Sequence, residues 1–124
     1  MGHRIHHDLY LGPKTLDDPG DGNDIRATED LSICELVSTA AETRTLLAPT
    51  KPGIRLTIRM LTDGGDIIVY AAEDFNRDLE TDATFADAGD ILSMISVTLA
   101  RASTGTAPTY RWEILEGNVG VTLV

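Results

Sequence analysis

Residues 46–61 carry the clearest alternation of apolar and polar positions in the chain. A short apolar run, Leu46-Leu47-Ala48, leads into the turn Pro49-Thr50-Lys51-Pro52-Gly53, and strict alternation follows. Ile54, Leu56, Ile58 and Met60 fall on one side of an extended strand, with Arg55, Thr57 and Arg59 on the other. A period of two marks a strand buried on one face. Apolar runs elsewhere predict strands at 31–37, 43–47, 54–61, 67–71, 91–99, 110–115 and 119–124. Turn-forming residues separate them: Lys51-Pro52-Gly53, Asp63-Gly64-Gly65-Asp66, Gly105-Thr106-Ala107-Pro108 and Glu116-Gly117-Asn118. The Asp-Gly-Gly-Asp turn predicts a hairpin, and Glu116-Gly117-Asn118 predicts another joining the 110–115 strand to the C-terminal one. Several short strands with turns between them give an all-β fold, an antiparallel β-sandwich or barrel.

Two segments carry a competing pattern. Ile33, Leu36, Val37, Ala40, Ala41 and Leu47 approximate a helical stripe, and Asp90 is placed to cap a helix opening at Ile91. Ser93, Ser96, Val97 and Thr98 are better strand formers, so 91–99 is read as a strand. In that strand Ile91, Ile95, Val97 and Leu99 share one face, which only Ser93 interrupts. Leu31–Val37 is read as a strand also. No internal repeat or heptad is visible.

Residues 1–28 differ from the rest. Met1 to Leu16 is polar with scattered apolar residues, and Asp17-Asp18-Pro19-Gly20-Asp21-Gly22-Asn23-Asp24 is dense in residues that break helices and strands. The expected division is an N-terminal extended arm and acidic linker over 1–28 and a β-domain over 29–124. Leu9, Tyr10, Leu11 and Leu16 are the arm's candidates for docking on a partner.

With 124 residues, of which 42% are hydrophobic, the chain can bury a single core without staples. Its net charge of −10, with 20 acidic and 10 scattered basic residues, argues against a nucleic-acid partner, since phosphates attract Lys/Arg clusters. Cys34 is the sole cysteine, so no intrachain disulfide forms, and its place in Leu31-Ser32-Ile33-Cys34 reads as a small buried hydrophobe. No apolar stretch is long enough to span a bilayer, so no membrane partner is expected, and the histidine-bearing N-terminus lacks the apolar core of a signal peptide. Synthesis in the cytoplasm is expected.

Candidate chemistry is sparse. His3, His6 and His7 could approach a zinc or nickel ion, but a zinc site needs ligands held in fixed geometry, and a terminal tail does not hold them. Asp74, Asn76, Asp78 and Asp82 space oxygen ligands as calcium loops do. Leu79 stands where the loop glycine belongs and Phe85 where the bidentate Glu belongs, and Arg77 adds positive charge, so an acidic surface loop is the competing reading. The run from Asp17 to Asp24 has Asp17, Asp21 and Gly22 in register but Pro19 at a ligand position. No histidine follows His7, no Gly-x-Ser-x-Gly elbow occurs, and Gly64-Gly65 is followed by an acidic residue rather than Lys-Ser/Thr. The expectation is a protein that is not an enzyme and holds no cofactor. Trp112, alternating with Tyr110 and Ile114, is either core packing or a carbohydrate-stacking platform. Arg55 and Arg59 lie on one strand face, either solvated or facing acidic groups of a neighbouring subunit.

From Thr28 to Val124 the order of features resembles a small β-domain of tailed-bacteriophage virion proteins, notably head decoration (capsid cement) proteins and fibre modules. The matching residues are Leu46-Leu47-Ala48-Pro49, then Pro52-Gly53-Ile54-Arg55-Leu56-Thr57-Ile58, then Asp63-Gly64-Gly65-Asp66-Ile67-Ile68-Val69-Tyr70. Ala88-Gly89-Asp90-Ile91-Leu92, Arg111-Trp112-Glu113-Ile114-Leu115 and Gly117-Asn118-Val119 complete the series. The arm has no counterpart in that pattern, and Ser38-Thr39-Ala40-Ala41 departs from it. The resemblance implies a homotrimeric structural protein on the outer capsid surface of a virion, bound to the major capsid protein, with no active site. The alternative is a carbohydrate- or receptor-binding β-module of a phage fibre, with calcium as a possible aid. An exposed Trp112 would favour the binding module, and a buried one the structural protein.

Overall fold

The computed structural model describes residues 14–75, 80–99, 109–116 and 118–124. Among these residues ten strands form two five-stranded sheets. In chain order they are β1 (Lys14–Leu16), β2 (Asn23–Ile25), β3 (Ser32–Val37), β4 (Glu42–Leu46), β5 (Arg55–Thr62), β6 (Ile67–Phe75), β7 (Glu80–Phe85), β8 (Ile91–Thr98), β9 (Tyr110–Ile114) and β10 (Thr122–Leu123). One sheet runs β1-β3-β5-β8-β9 and the other β10-β7-β6-β4-β2. We refer to them as the first and second sheets.

Consecutive strands pair off across the two sheets, so the molecule is built in layers. β1 with β2, β3 with β4 and β5 with β6 are three arches, each entering through the first sheet and leaving through the second. Because all three run the same way, β1, β3 and β5 are parallel neighbours, as are β2, β4 and β6. A reversal between β6 and β7 then makes the remaining pairings antiparallel: β6 with β7, β5 with β8, β8 with β9, and β7 with β10. The expected all-β sandwich stands, but its sheets are mixed, not purely antiparallel, and they do not close into a barrel. Among the described residues the sheets end at β1 and β9 in one and at β2 and β10 in the other.

The physical reason lies in the turns. Asp63-Gly64-Gly65-Asp66 is not a hairpin: it carries the chain from β5 in one sheet to β6 in the other. Its glycines are required by the arch beneath it. A Cβ on Gly65 would sit 2.6 Å from both Ala40 O and Ala41 N, and one on Gly64 would sit 2.7 Å from Thr39 Cα. The alanine-rich segment 38–41, compatible with a helix by pattern, is instead the bend of the β3–β4 arch. Ser38 Oγ donates to Gly65 O at 2.6 Å and accepts from Gly64 N at 3.0 Å, clamping one arch on the next. Likewise the strands expected to pair as a hairpin around 116–118 do not: β9 and β10 belong to different sheets, and Val119 bridges back to Ile91.

The stretch 17–24, expected as linker, carries part of the first arch, so both sheets begin earlier than residue 29. A buried charge cluster holds that arch down. Arg44 on β4 points into the sandwich with its side chain fully buried. Its Nε meets Asp18 Oδ1 at 2.6 Å and its Nη2 meets Asp18 Oδ2 at 2.9 Å; Glu42 Oε1 and the carbonyls of Thr43 and Val37 take further guanidinium hydrogens. Asp18 in turn accepts from the backbone N–H groups of Val37 and Gly20. Burial pushes the Asp18 carboxyl up, but the Arg44 guanidinium and those two N–H groups outweigh it and hold the group below 3.8.

The core between the sheets contains Leu36, Leu46, Leu56, Ile58, Met60, Val69, Phe75, Phe85, Leu92, Met94 and Trp112, all essentially inaccessible. The alternation of β5 is obeyed: Leu56, Ile58 and Met60 face inward and Arg55 and Arg59 are exposed. β8 behaves differently. Its inward residues are Leu92, Met94 and Ser96, and its more apolar face, Ile91, Ile95 and Val97, turns outward. Ser96 is tolerated inside because its Oγ accepts the Ile54 N–H at 2.8 Å.

Candidate interaction surface

Register places the outward side chains of the first sheet in rows. Ile33, Thr57 and Ser93 form one row, with Leu115 extending it through its N–H to Ser93 O. Glu35, Arg59, Ile91 and Val119 form the next, and Arg55, Ile95 and Glu113 lie on the other side. Val97 and Arg111 close the end. β8 is thus an apolar spine, with Ile91, Ile95 and Val97 half-buried on this outer face. At its margins Leu115 is 40% and Val119 56% exposed. A strand apolar on both faces is the pattern of a strand covered on both faces, and among the described residues only one side is covered by core.

The charges on this face are paired within the chain. Arg55 grips Asp30 through Nε at 3.0 Å and Nη2 at 3.1 Å, which holds the Asp30 carboxyl below its ordinary range. Arg59 Nη2 meets Glu35 Oε2 at 2.6 Å across neighbouring strands. Arg111 and Glu113 form a looser pair at 3.4 Å, leaving Arg111 Nε and Glu113 Oε2 without a hydrogen-bond partner. Each exposed pair contributes little to stability. Their effect on the surface is to cancel its charge. The second sheet's outer face is different: rows of Thr43, Ile68, Thr84 and Thr122, and of Asp24, Thr45, Tyr70 and Asp82, carry acidic groups and no basic one on the strands.

Of the docking residues read from the sequence, Arg55 and Arg59 are brought together on this face. Leu16 packs against the chain's own core, and Leu9, Tyr10 and Leu11 lie outside the described residues. The spine residues Ile91, Ile95 and Val97 were not among those candidates, although an apolar run on both faces of one strand is a readable signal.

The calcium candidates fall only partly within the described residues. Asp74 lies on β6 and Asp82 on β7, Asp82 Oδ1 accepting from Thr81 Oγ1 at 2.7 Å, while Asn76 and Asp78 lie outside the described residues, as do His3, His6 and His7. Among the described residues no three His, Cys, Asp or Glu side chains are grouped as metal ligands. Cys34 is buried, and its burial, aided by the negative Asp18 nearby, pushes the thiol up to about 12. Trp112 is 1% exposed, and its Nε1–H donates to Leu47 O at 3.0 Å, tying the edge of the first sheet to the end of β4 in the second. No family model matches the chain, and no curated protein matches its sequence.

Proposed function

We propose that the chain is a non-enzymatic virion structural protein, a capsid decoration (cement) protein that binds and stabilises an assembled phage head as a homotrimer. The observation that carries this reading is the burial of Trp112. With its ring in the core and its N–H committed to Leu47, it is withdrawn from any sugar-stacking role, and the carbohydrate-binding alternative loses its platform. Support also comes from the stacked arches, whose first sheet presents one charge-cancelled, partly apolar outer face, a surface suited to protein contact. A cement protein acts by mass action: binding the closed shell and not free subunits shifts the equilibrium toward the shell. Three-fold repetition makes each weak contact count three times. The arm residues Leu9, Tyr10 and Leu11 are the proposed attachment element on the major capsid protein.

The test is complementation of heads assembled without this protein. Adding the purified chain to such heads should raise the temperature at which they release DNA. Heads that neither bind the chain nor change their release temperature would refute the reading.

A further inference from the structure

The outer face of the first sheet is the surface through which copies of this chain meet one another, we infer, with Ile91, Ile95 and Val97 of β8 at the centre of the contact. The number of copies rests on the proposed function, which expects three around an axis; the choice of face stands on the geometry alone.

Two observations carry it. The first is the orientation of β8. Slipping or rolling a strand by one residue exchanges its faces, so the sequence could have placed Ile91, Ile95 and Val97 in the core. Instead the core receives Leu92, Met94 and a serine held by the Ile54 N–H, and the branched aliphatic residues are turned out beside Ile33, Leu115 and Val119. The second is charge. A chain of net charge −10 repels its own copies across most of its surface. On this face Arg55, Arg59 and Arg111 are offset by Asp30, Glu35 and Glu113, so the face is the part of the described strands where another copy can approach without like-charge repulsion. The outer face of the second sheet, with Asp24 and Asp82 and no basic strand residue, is left to solvent.

The test is sedimentation of the full-length chain over a concentration series, beside Ile95→Lys, Leu115→Lys and, on the opposite face, Thr84→Lys. Wild type and Thr84→Lys should form the same closed oligomer. A lysine buried at the contact should weaken association by on the order of 100-fold, so Ile95→Lys should sediment as a monomer with an unchanged far-ultraviolet spectrum. If Ile95→Lys fails to fold, Leu115→Lys reads the same contact from a position 40% exposed in the subunit. A dimer broken by these substitutions supports the face and overturns the three-fold reading. A trimer that Ile95→Lys or Leu115→Lys leaves intact overturns the face and leaves the cement reading standing. A wild-type chain that is monomeric throughout overturns the inference.

Discussion

Replacing Asp18 by alanine should loosen the first arch more than any surface change of similar size. The substitution leaves the Arg44 guanidinium fully buried with Glu42 as its remaining carboxylate, and it strips the Val37 and Gly20 N–H groups of their acceptor. Breaking a buried pair by removing one partner costs about 3–5 kcal/mol. Because Glu42, Thr43 O and Val37 O still hold the guanidinium, the lower end applies, about 3 kcal/mol. For a domain of this size that corresponds to a fall in Tm of about 12 °C. Differential scanning calorimetry at pH 7 measures it. Arg44→Met should cost a comparable amount, and the double variant should cost clearly less than the two singles together, since the charge that Asp18 compensates is then gone.

The same pair fixes a pH dependence. Asp18 has a folded-state pKa below its unfolded value of 3.8. Its contribution is therefore present above pH 3.8 and is lost as pH falls through the lower folded value. Wild type and Asp18→Ala should converge in stability only below pH 3.8. An Asp18→Ala variant that melts within about 2 °C of wild type at pH 7 would refute the reasoning, as would a gap that does not shrink in acid.

Other expectations follow from the same contacts. Gly65→Ala should destabilise by about 1–3 kcal/mol, because its Cβ meets backbone atoms of the arch below, which yield poorly; chemical denaturation reads the loss. Trp112→Phe should cost about 1–3 kcal/mol by removing the donor to the part-buried Leu47 O, and a stability equal to wild type would contradict the assigned hydrogen bond. Cys34 should resist thiol reagents at pH 8 in the folded chain and react at once in denaturant, since burial pushes its thiol up to about 12. Calcium at millimolar concentration should leave Tm unchanged; a rise abolished in Asp82→Ala would revive the calcium loop.

The strands were legible in the sequence where local pattern decides them. Ile54 to Met60 alternates so strictly that β5 admits no other reading, and Trp112 with its neighbours marks β9. What local pattern does not encode is which sheet a strand joins. A Gly-rich turn between two apolar runs looks alike whether it closes a hairpin or bends an arch. The difference lies in the backbone of residues 38–41 against which Gly64 and Gly65 pack. β1 and β2 escaped because three-residue strands among Asp, Pro and Gly carry no periodicity, and their placement depends on Asp18 meeting Arg44 across 26 positions. β7 escaped because Glu80, Thr81 and Asp82 conceal the inward Ala83 and Phe85. For the surface, Arg55 and Arg59 were readable from alternation, but their partners Asp30 and Glu35 were not, being 25 and 24 residues away. The outward turn of Ile91, Ile95 and Val97 was not legible, because the bond that satisfies the inward Ser96, from Ile54 N–H to its Oγ, spans 42 residues.

The central claim, that this chain belongs to the outside of an assembled phage head, is tested most directly on the particles themselves. Phage-like particles induced from cells whose genome encodes the chain would be analysed by quantitative mass spectrometry and cryo-electron microscopy. A decoration protein should be present in copy numbers comparable with the major capsid protein, as density on the outer surface at three-fold positions. Particles that lack it, or that carry only a few copies at the tail, would contradict the account.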